Sequence, residues 1–247
     1  MNSRPDVRTR PPPPPAPVAL HEFRNDDQWS WAAAVAIAAA LRRDLEERPR
    51  ARLLVSGGST PAPVFRALSQ APLRWDRVDI ALVDERWLMP EDPDSNAHLV
   101  HKHLLQGNAA AARFEPLTRP GRSIEAAVAD ANLHATQPEG IIVLGMGGDG
   151  HVASLFPRMR RLRETLDSTS AYVPVDASGC PGAGPWPRRI SLTPAGLAPA
   201  HTRLLLLRGD DKRDVFERAL DGSDPIEMPV RIAFQVPGAQ LQVYWSP

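Results

Sequence analysis

Residues 141–151 read Ile141-Ile142-Val143-Leu144-Gly145-Met146-Gly147-Gly148-Asp149-Gly150-His151, and the chain continues Val152-Ala153-Ser154-Leu155-Phe156-Pro157. Four apolar residues running into a glycine cluster describe a buried strand that ends in a tight turn. The turn carries an acid two residues before a histidine, which puts a titratable imidazole at a strand end, where an α/β sheet keeps its ligands. Gly145, Gly147 and Gly150 also satisfy the dinucleotide spacing G-x-G-x-x-G, but that fingerprint belongs to the first strand–helix unit and expects an acid about 20 residues on. Here Asp167 lies 17 residues past Gly150, in mid-chain, so the spacing is not read as a nicotinamide site. A structural histidine is the plain alternative for His151; the neighbouring glycines and Asp149 favour chemistry.

Working outward, other short apolar runs alternate with helical patterns. Strands are expected at Val18–Phe23, Arg52–Val55, Val78–Val83 and Arg203–Leu207, beside Ile141–Leu144. Helices are expected at Asp26–Glu47, capped by Asn25 or Asp26, from Pro61 onward, and near Asn96–Leu105, Ser123–Ala135 and Asp211–Leu220. This rhythm predicts an α/β fold with a mostly parallel, doubly wound (Rossmann-like) sheet, helices on both faces, and the ligand at the carboxyl ends of the strands. One domain is expected over residues 18–247, preceded by a proline- and arginine-rich tail, residues 1–17, that has almost nothing to bury.

Three more strand ends suit an anion. After Leu53-Leu54-Val55 comes Ser56-Gly57-Gly58-Ser59-Thr60-Pro61. Gly57 and Gly58 let backbone amides approach an oxyanion, Ser59 and Thr60 add hydroxyls, and a helix N-terminus adds partial positive charge. The loop lacks the Gly-Lys-Ser/Thr ending of a nucleotide P-loop, and an ordinary capped turn is its simpler reading. Asp84-Glu85-Arg86-Trp87 follows the strand Val78–Val83, with Asp94-Ser95-Asn96 further on. Arg86 can grip a phosphate with paired hydrogen bonds, Asp84 or Glu85 can instead hold Arg86, and an exposed salt-bridged loop fits as well. Gly209-Asp210-Asp211-Lys212 ends the last strand. Lys102 and Lys212 are the only lysines in 247 residues, so a lysine at a strand–helix junction suggests a point charge for an anion.

Composition bounds the rest. Lys plus Arg and Asp plus Glu each total 29, which leaves no net bias toward nucleic acid or an anionic membrane. A single cysteine, Cys180, forms no internal disulfide or thiolate metal site, so a reducing, cytoplasmic setting is expected. The apolar run Trp31–Leu41 is about half of what a spanning helix needs, and no signal peptide is visible. Nothing in the residues fixes an oligomeric state; a monomer is compatible with them. The segment Ala177–Pro187, with three prolines and three glycines, is a candidate cover over the site.

The chain resembles the glucosamine-6-phosphate isomerase/6-phosphogluconolactonase superfamily, on its lactonase side. The resemblance rests on Ser56–Pro61, Asp84–Trp87 with Asp94-Ser95-Asn96, Leu144–Pro157 and Gly209–Lys212, and covers about Val18 to Trp245. Asp-Glu-Arg is the lactonase form of a segment that reads Asp-Glu-Tyr in the deaminating isomerases. Gly148 stands where proline is usual, and Val152 where threonine is. The resemblance implies a sugar-phosphate lactone substrate, hydrolysis without metal or cofactor, and no nucleic-acid or membrane partner. It implies His151 as general base with Asp149 orienting it, and Gly57, Gly58, Ser59, Thr60, Asp84, Arg86, Gly147 and Lys212 in substrate and phosphate binding. The rivals are an isomerase/deaminase using Asp84 as base, a non-catalytic sugar-phosphate sensor, and a structural protein.

Overall fold

Asn25 accepts a hydrogen bond from the Gln28 amide at 2.9 Å and so starts helix α1 (Asp26–Glu47), whose first turn is acidic as the positive end of a helix favours. The computed structural model describes residues 18–135 and 140–247; the tail read at 1–17 lies outside the described residues. One face of α1 buries Trp29, Ala33, Ile37 and Leu41, the larger apolar side chains each contributing about 1.5–3 kcal/mol. The Trp29 indole donates to the Tyr244 carbonyl at 3.0 Å, which fixes the helix on the sheet.

In chain order, α1 is preceded by β1 (Val18–Glu22) and followed by β2 (Ala51–Val55), α2 (Ala62–Leu68), β3 (Val78–Leu82), β4 (Asp84–Arg86) and α3 (Asn96–His103). Next come β5 (Arg113–Glu115), α4 (Ile124–His134), β6 (Ile141–Gly145), α5 (Leu162–Leu166), β7 (Tyr172–Asp176) and β8 (Arg188–Leu192). The chain finishes through α6 (Pro194–Leu197), β9 (Thr202–Arg208), α7 (Asp210–Leu220), α8 (Ile232–Gln235) and β10 (Leu241–Ser246).

Seven strands form one parallel sheet in the order β1-β10-β9-β6-β2-β3-β5. Strands β2, β3 and β6 are buried almost throughout, as a sheet covered on both faces requires. On one face α1 packs against α2. On the other, Arg52 of β2 reaches Glu115 and the His134 carbonyl, beside Tyr172, so α4 and β7 lie there. From β2 the order runs outward through β3 to β5, and then β6 begins on the other side of β2. The topological switch point therefore falls between β2 and β6, and open α/β sheets bind ligands at such points.

The doubly wound expectation holds, and the foreseen elements lie within one residue of their expected bounds, save that α3 stops two residues early. Among the described residues five strands, β4, β5, β7, β8 and β10, and a second sheet were not foreseen. The antiparallel order β4-β8-β7 builds a small sheet from Asp84–Arg86, Arg188–Leu192 and Tyr172–Asp176. The charged triplet at 84–86 is therefore a paired strand and not an exposed loop.

Candidate active site

The four strand ends singled out by sequence belong to β9, β6, β2 and β3, which are consecutive neighbours in the sheet. Their loops surround one crevice of about 320 Å³, lined by residues 56–60, Asp84, Arg86, the turn after β6, and Lys212. Every binding or catalytic candidate except Asp149 lines it, and Asp149 is bonded to a residue that does.

Two backbone bonds shape the turn after β6: the Gly150 amide donates to Gly147 O at 3.0 Å, and the Gly147 amide to His151 O at 2.9 Å. Gly150 sits at φ +82°, a conformation that favours glycine. The turn brings Asp149 Oδ1 to 2.6 Å from His151 Nδ1 and 3.0 Å from the His151 amide. Burial pushes the Asp149 carboxyl up, but its bonds to the His151 ring and amide outweigh that and hold it below the usual carboxylate value. An ionised carboxylate only accepts, so Nδ1 carries the proton and the neutral ring keeps its lone pair on Nε2. Gly147 makes this pairing sterically feasible: a Cβ there would lie 2.0 Å from Nδ1 and 2.6 Å from Asp149 Oδ1. The Phe156 ring packs against the imidazole with centroids 4.4 Å apart.

On the β2 side, Gly57 permits a close approach, since a Cβ there would overlap the Asn96 amide at 1.8 Å. Asn96 in turn donates to the Asp84 carbonyl at 2.7 Å. Gly58, at φ +89°, turns the chain toward Ser59 and Thr60. Helix α2 spans only seven residues, so its dipole adds less than the loop's own amides and hydroxyls. The Ser56 hydroxyl and Arg86 Nε are shielded and have no partner among the described residues, which leaves both donors for a ligand's oxygens.

The triplet 84–86 divides its labour differently from either sequence alternative. Neither carboxylate holds Arg86, whose Nη1 donates to the Asp94 carbonyl at 2.5 Å. Glu85 is fully buried and accepts from the amides of Arg86, Asn96 and Ala97, each at 2.8 Å, which caps α3 and places Asn96. Desolvation nevertheless pushes its carboxyl up to about 7. Asp84 lines the crevice but accepts from the buried Ser154 hydroxyl at 2.6 Å, with Arg189 Nη1 4.0 Å away. At the β9 end, Gly209, at φ +86°, starts α7, and Lys212 Nζ donates to the Met146 carbonyl at the end of β6. Burial pushes the Lys212 ammonium below its ordinary 10.5, while Asp149 pulls the other way.

Arg189, Ser56, Asn96 and Gly182 also line the crevice and were not among the site residues chosen from sequence. Asn96 and Ser56 lay inside segments already marked. Arg189 gave no signal in the sequence, because its contacts with Ser154 and Asp84 form only when β8 pairs with β4 in the second sheet.

An α/β sheet with an acid–histidine pair and shielded, unpartnered donors at its switch point defines a crevice suited to a polar, anionic ligand. Residues 24–245 match the family described as glucosamine-6-phosphate isomerases/6-phosphogluconolactonase, and the chain belongs to that family. A protein of Xylella fastidiosa strain Temecula1 named 6-phosphogluconolactonase is 49% identical over 88% of this chain and 92% of that protein. A Pseudomonas aeruginosa protein of the same name is 42% identical over 84% and 86%. The crystal structure of a 6-phosphogluconolactonase from Shewanella baltica superposes with a TM-score of 0.84 at 31% identity, over 93% of this chain and 98% of that one. A monomeric glucosamine-6-phosphate deaminase, 19% identical with a TM-score of 0.74, shares the fold. Within the family this chain stands with the lactone hydrolases.

Proposed function

We propose that this chain hydrolyses 6-phospho-D-glucono-1,5-lactone to 6-phosphogluconate in the oxidative pentose phosphate pathway, in the cytoplasm and without a metal. The observation that carries the reading is the 2.6 Å Asp149–His151 pair at a crevice that also holds Lys212, Arg86 and the 56–60 loop. Among the described residues no helix is long and apolar enough to cross a membrane.

The phosphate is held by Lys212, Arg86 and the amides and hydroxyls of Gly57, Gly58, Ser59 and Thr60, each charge-assisted bond contributing about 1.5–3 kcal/mol. Anchored there, the lactone ring lies across the strand ends with its C1 carbonyl at the β6 turn. His151 Nε2 takes a proton from water as the water oxygen bonds to C1, and the carbonyl becomes an oxyanion that turn amides stabilise. Those of Gly147, Gly150 and His151 are already bonded within the turn, so the oxyanion falls to the others. Collapse breaks the bond between C1 and the ring oxygen, and the imidazolium returns its proton to that oxygen. Asp149 keeps Nδ1 protonated throughout and balances the charge that develops on the ring.

The deciding experiment is a lactonase assay on freshly generated substrate, with spontaneous hydrolysis subtracted, comparing the unaltered protein with His151→Ala. Loss of the base lowers kcat about 10²–10⁴-fold with KM little changed. A variant within threefold of the parent overturns the role given to His151. No fructose 6-phosphate is expected from glucosamine 6-phosphate, since Asp84, the base such chemistry would use, is engaged by Ser154.

A further inference from the structure

We propose that Arg189 is a positioning residue that straps the 177–187 loop over the Asp149–His151 pair and so fixes the carboxylate that orients the base; this rests on the lactonase reading above. Arg189 lies on β8, with only 7% of its side chain exposed. Its guanidinium spends two arms on the loop: Nε donates to Trp186 O at 2.8 Å and Nη2 to Ala183 O at 2.7 Å. The third arm, Nη1, faces the Ser154 hydroxyl at 3.4 Å and Asp84 Oδ2 at 4.0 Å, and Cζ sits 5.2 Å from the centre of the Phe156 ring. That ring is the one packed against His151.

The strapped loop reaches the pair itself. A Cβ on Gly182 would stand 2.6 Å from Asp149 Oδ2 and 3.3 Å from His151 Nδ1. Asp149 therefore has one oxygen on the imidazole and the other against the loop backbone, and its carboxylate has little room to turn away from the ring. Within the loop the Ala177 amide donates to Pro187 O at 2.9 Å and the Ala183 amide to Cys180 O at 3.0 Å, and the Trp186 indole ties the loop to Asp94 Oδ2 at 3.0 Å. The Trp186 tie lies four residues from Gly182 in the chain; Arg189, through Ala183 O, anchors the residue next to Gly182 to β8. A lysine cannot replace it, because one ammonium nitrogen lacks the planar fork that reaches both carbonyls and Ser154 together. With two arms committed and the third facing Asp84, Arg189 is oriented to hold protein and not phosphate.

The test compares the parent protein, Arg189→Lys and Gly182→Ala by amide hydrogen exchange across 177–187 and by kcat and KM on the lactone. In Arg189→Lys, loop exchange is expected to rise about tenfold or more while the central strands stay protected. Its kcat is expected to fall about tenfold or more with KM within about threefold, because misplacing a catalytic group by ~1 Å is costly. Gly182→Ala leaves Arg189 intact and lowers kcat by a similar factor. A tenfold rise in KM with unchanged loop exchange makes Arg189 a phosphate ligand and overturns the proposal, as does no change in either quantity. Should Arg189→Lys fail to fold, Gly182→Ala decides, and a kcat within twofold of the parent overturns it. If the parent hydrolyses no lactone, the assignment of function fails, while the exchange comparison still reads whether Arg189 holds the loop.

Discussion

Replacing Gly147 by alanine adds one methyl group directly against the Asp149–His151 pair. The new carbon would lie 2.0 Å from His151 Nδ1, 2.1 Å from Cε1 and 2.6 Å from Asp149 Oδ1. Non-bonded carbon contacts settle at about 3.5–4.0 Å, so the imidazole must retreat by roughly 1.5 Å. Neither ring nor carboxylate can move that far and keep a 2.6 Å bond. A displacement of about 1 Å costs on the order of 10²-fold in rate, equivalent to about 2.7 kcal/mol of barrier. Steady-state kinetics on fresh lactone should therefore give a kcat at least about 10²-fold down, with KM within about threefold because the phosphate grip lies on other loops. Gly148→Ala is the matched control: it keeps its amide, has open space around its Cβ, and should stay within about twofold of the parent. A Gly147→Ala enzyme with kcat within threefold of the parent would refute the assignment of the pair as catalytic.

Lys212→Ala and Arg86→Ala should chiefly raise KM, since each removes phosphate binding that is equal in ground and transition states; a change confined to kcat would show the phosphate to be misplaced. Glu85 gives a pH dependence of stability. Its carboxyl rises from an ordinary 4.5 to about 7 on folding, so the folded state binds the extra proton between those values, and stability falls as pH rises through the window, by about 3 kcal/mol at most. Melting curves from about pH 5 to about pH 8 should descend more steeply for the parent than for Glu85→Gln, which has no proton to lose. Equal slopes would mean that Glu85 stays charged on folding.

Helices α1 to α4 and α7 were legible because caps and breakers are local: Asn25 before α1 and Pro61 after the Gly57-Gly58 turn state their ends in a few residues, whereas the short α5, α6 and α8 left no such pattern. The parallel strands were legible where they are continuously apolar. Missing were β4 and β5, with three residues each, β7, interrupted by Pro174, β8, which opens on two arginines, and β10. Each gains its strand character from a neighbour and not from its own pattern. The same reason hid half of the site. His151, Asp149 and the glycine loop announce themselves within a single turn, whereas the contacts of Arg189 with Ser154 and Asp84 exist only once β8 has paired with β4, and the capping role of Glu85 only once the chain has turned back from β4 to start α3. For Asp84 and Glu85 the sequence leaves an exposed salt-bridged loop open beside a ligand-facing strand end, because burial cannot be read from a charged triplet, and it is burial that sets what both of them do.

Among the described residues strand β1 has one neighbour in the sheet, β10, whose first residue aligns with Val18 from more than two hundred positions away. During synthesis the opening strand must therefore wait, unpaired, until residues 241–246 have left the ribosome, and the Trp29 indole waits with it for the Tyr244 carbonyl. Nascent chains stalled before β10 should leave that edge open to chaperones and proteases, even though β2, β3, β6 and β9 have already been made.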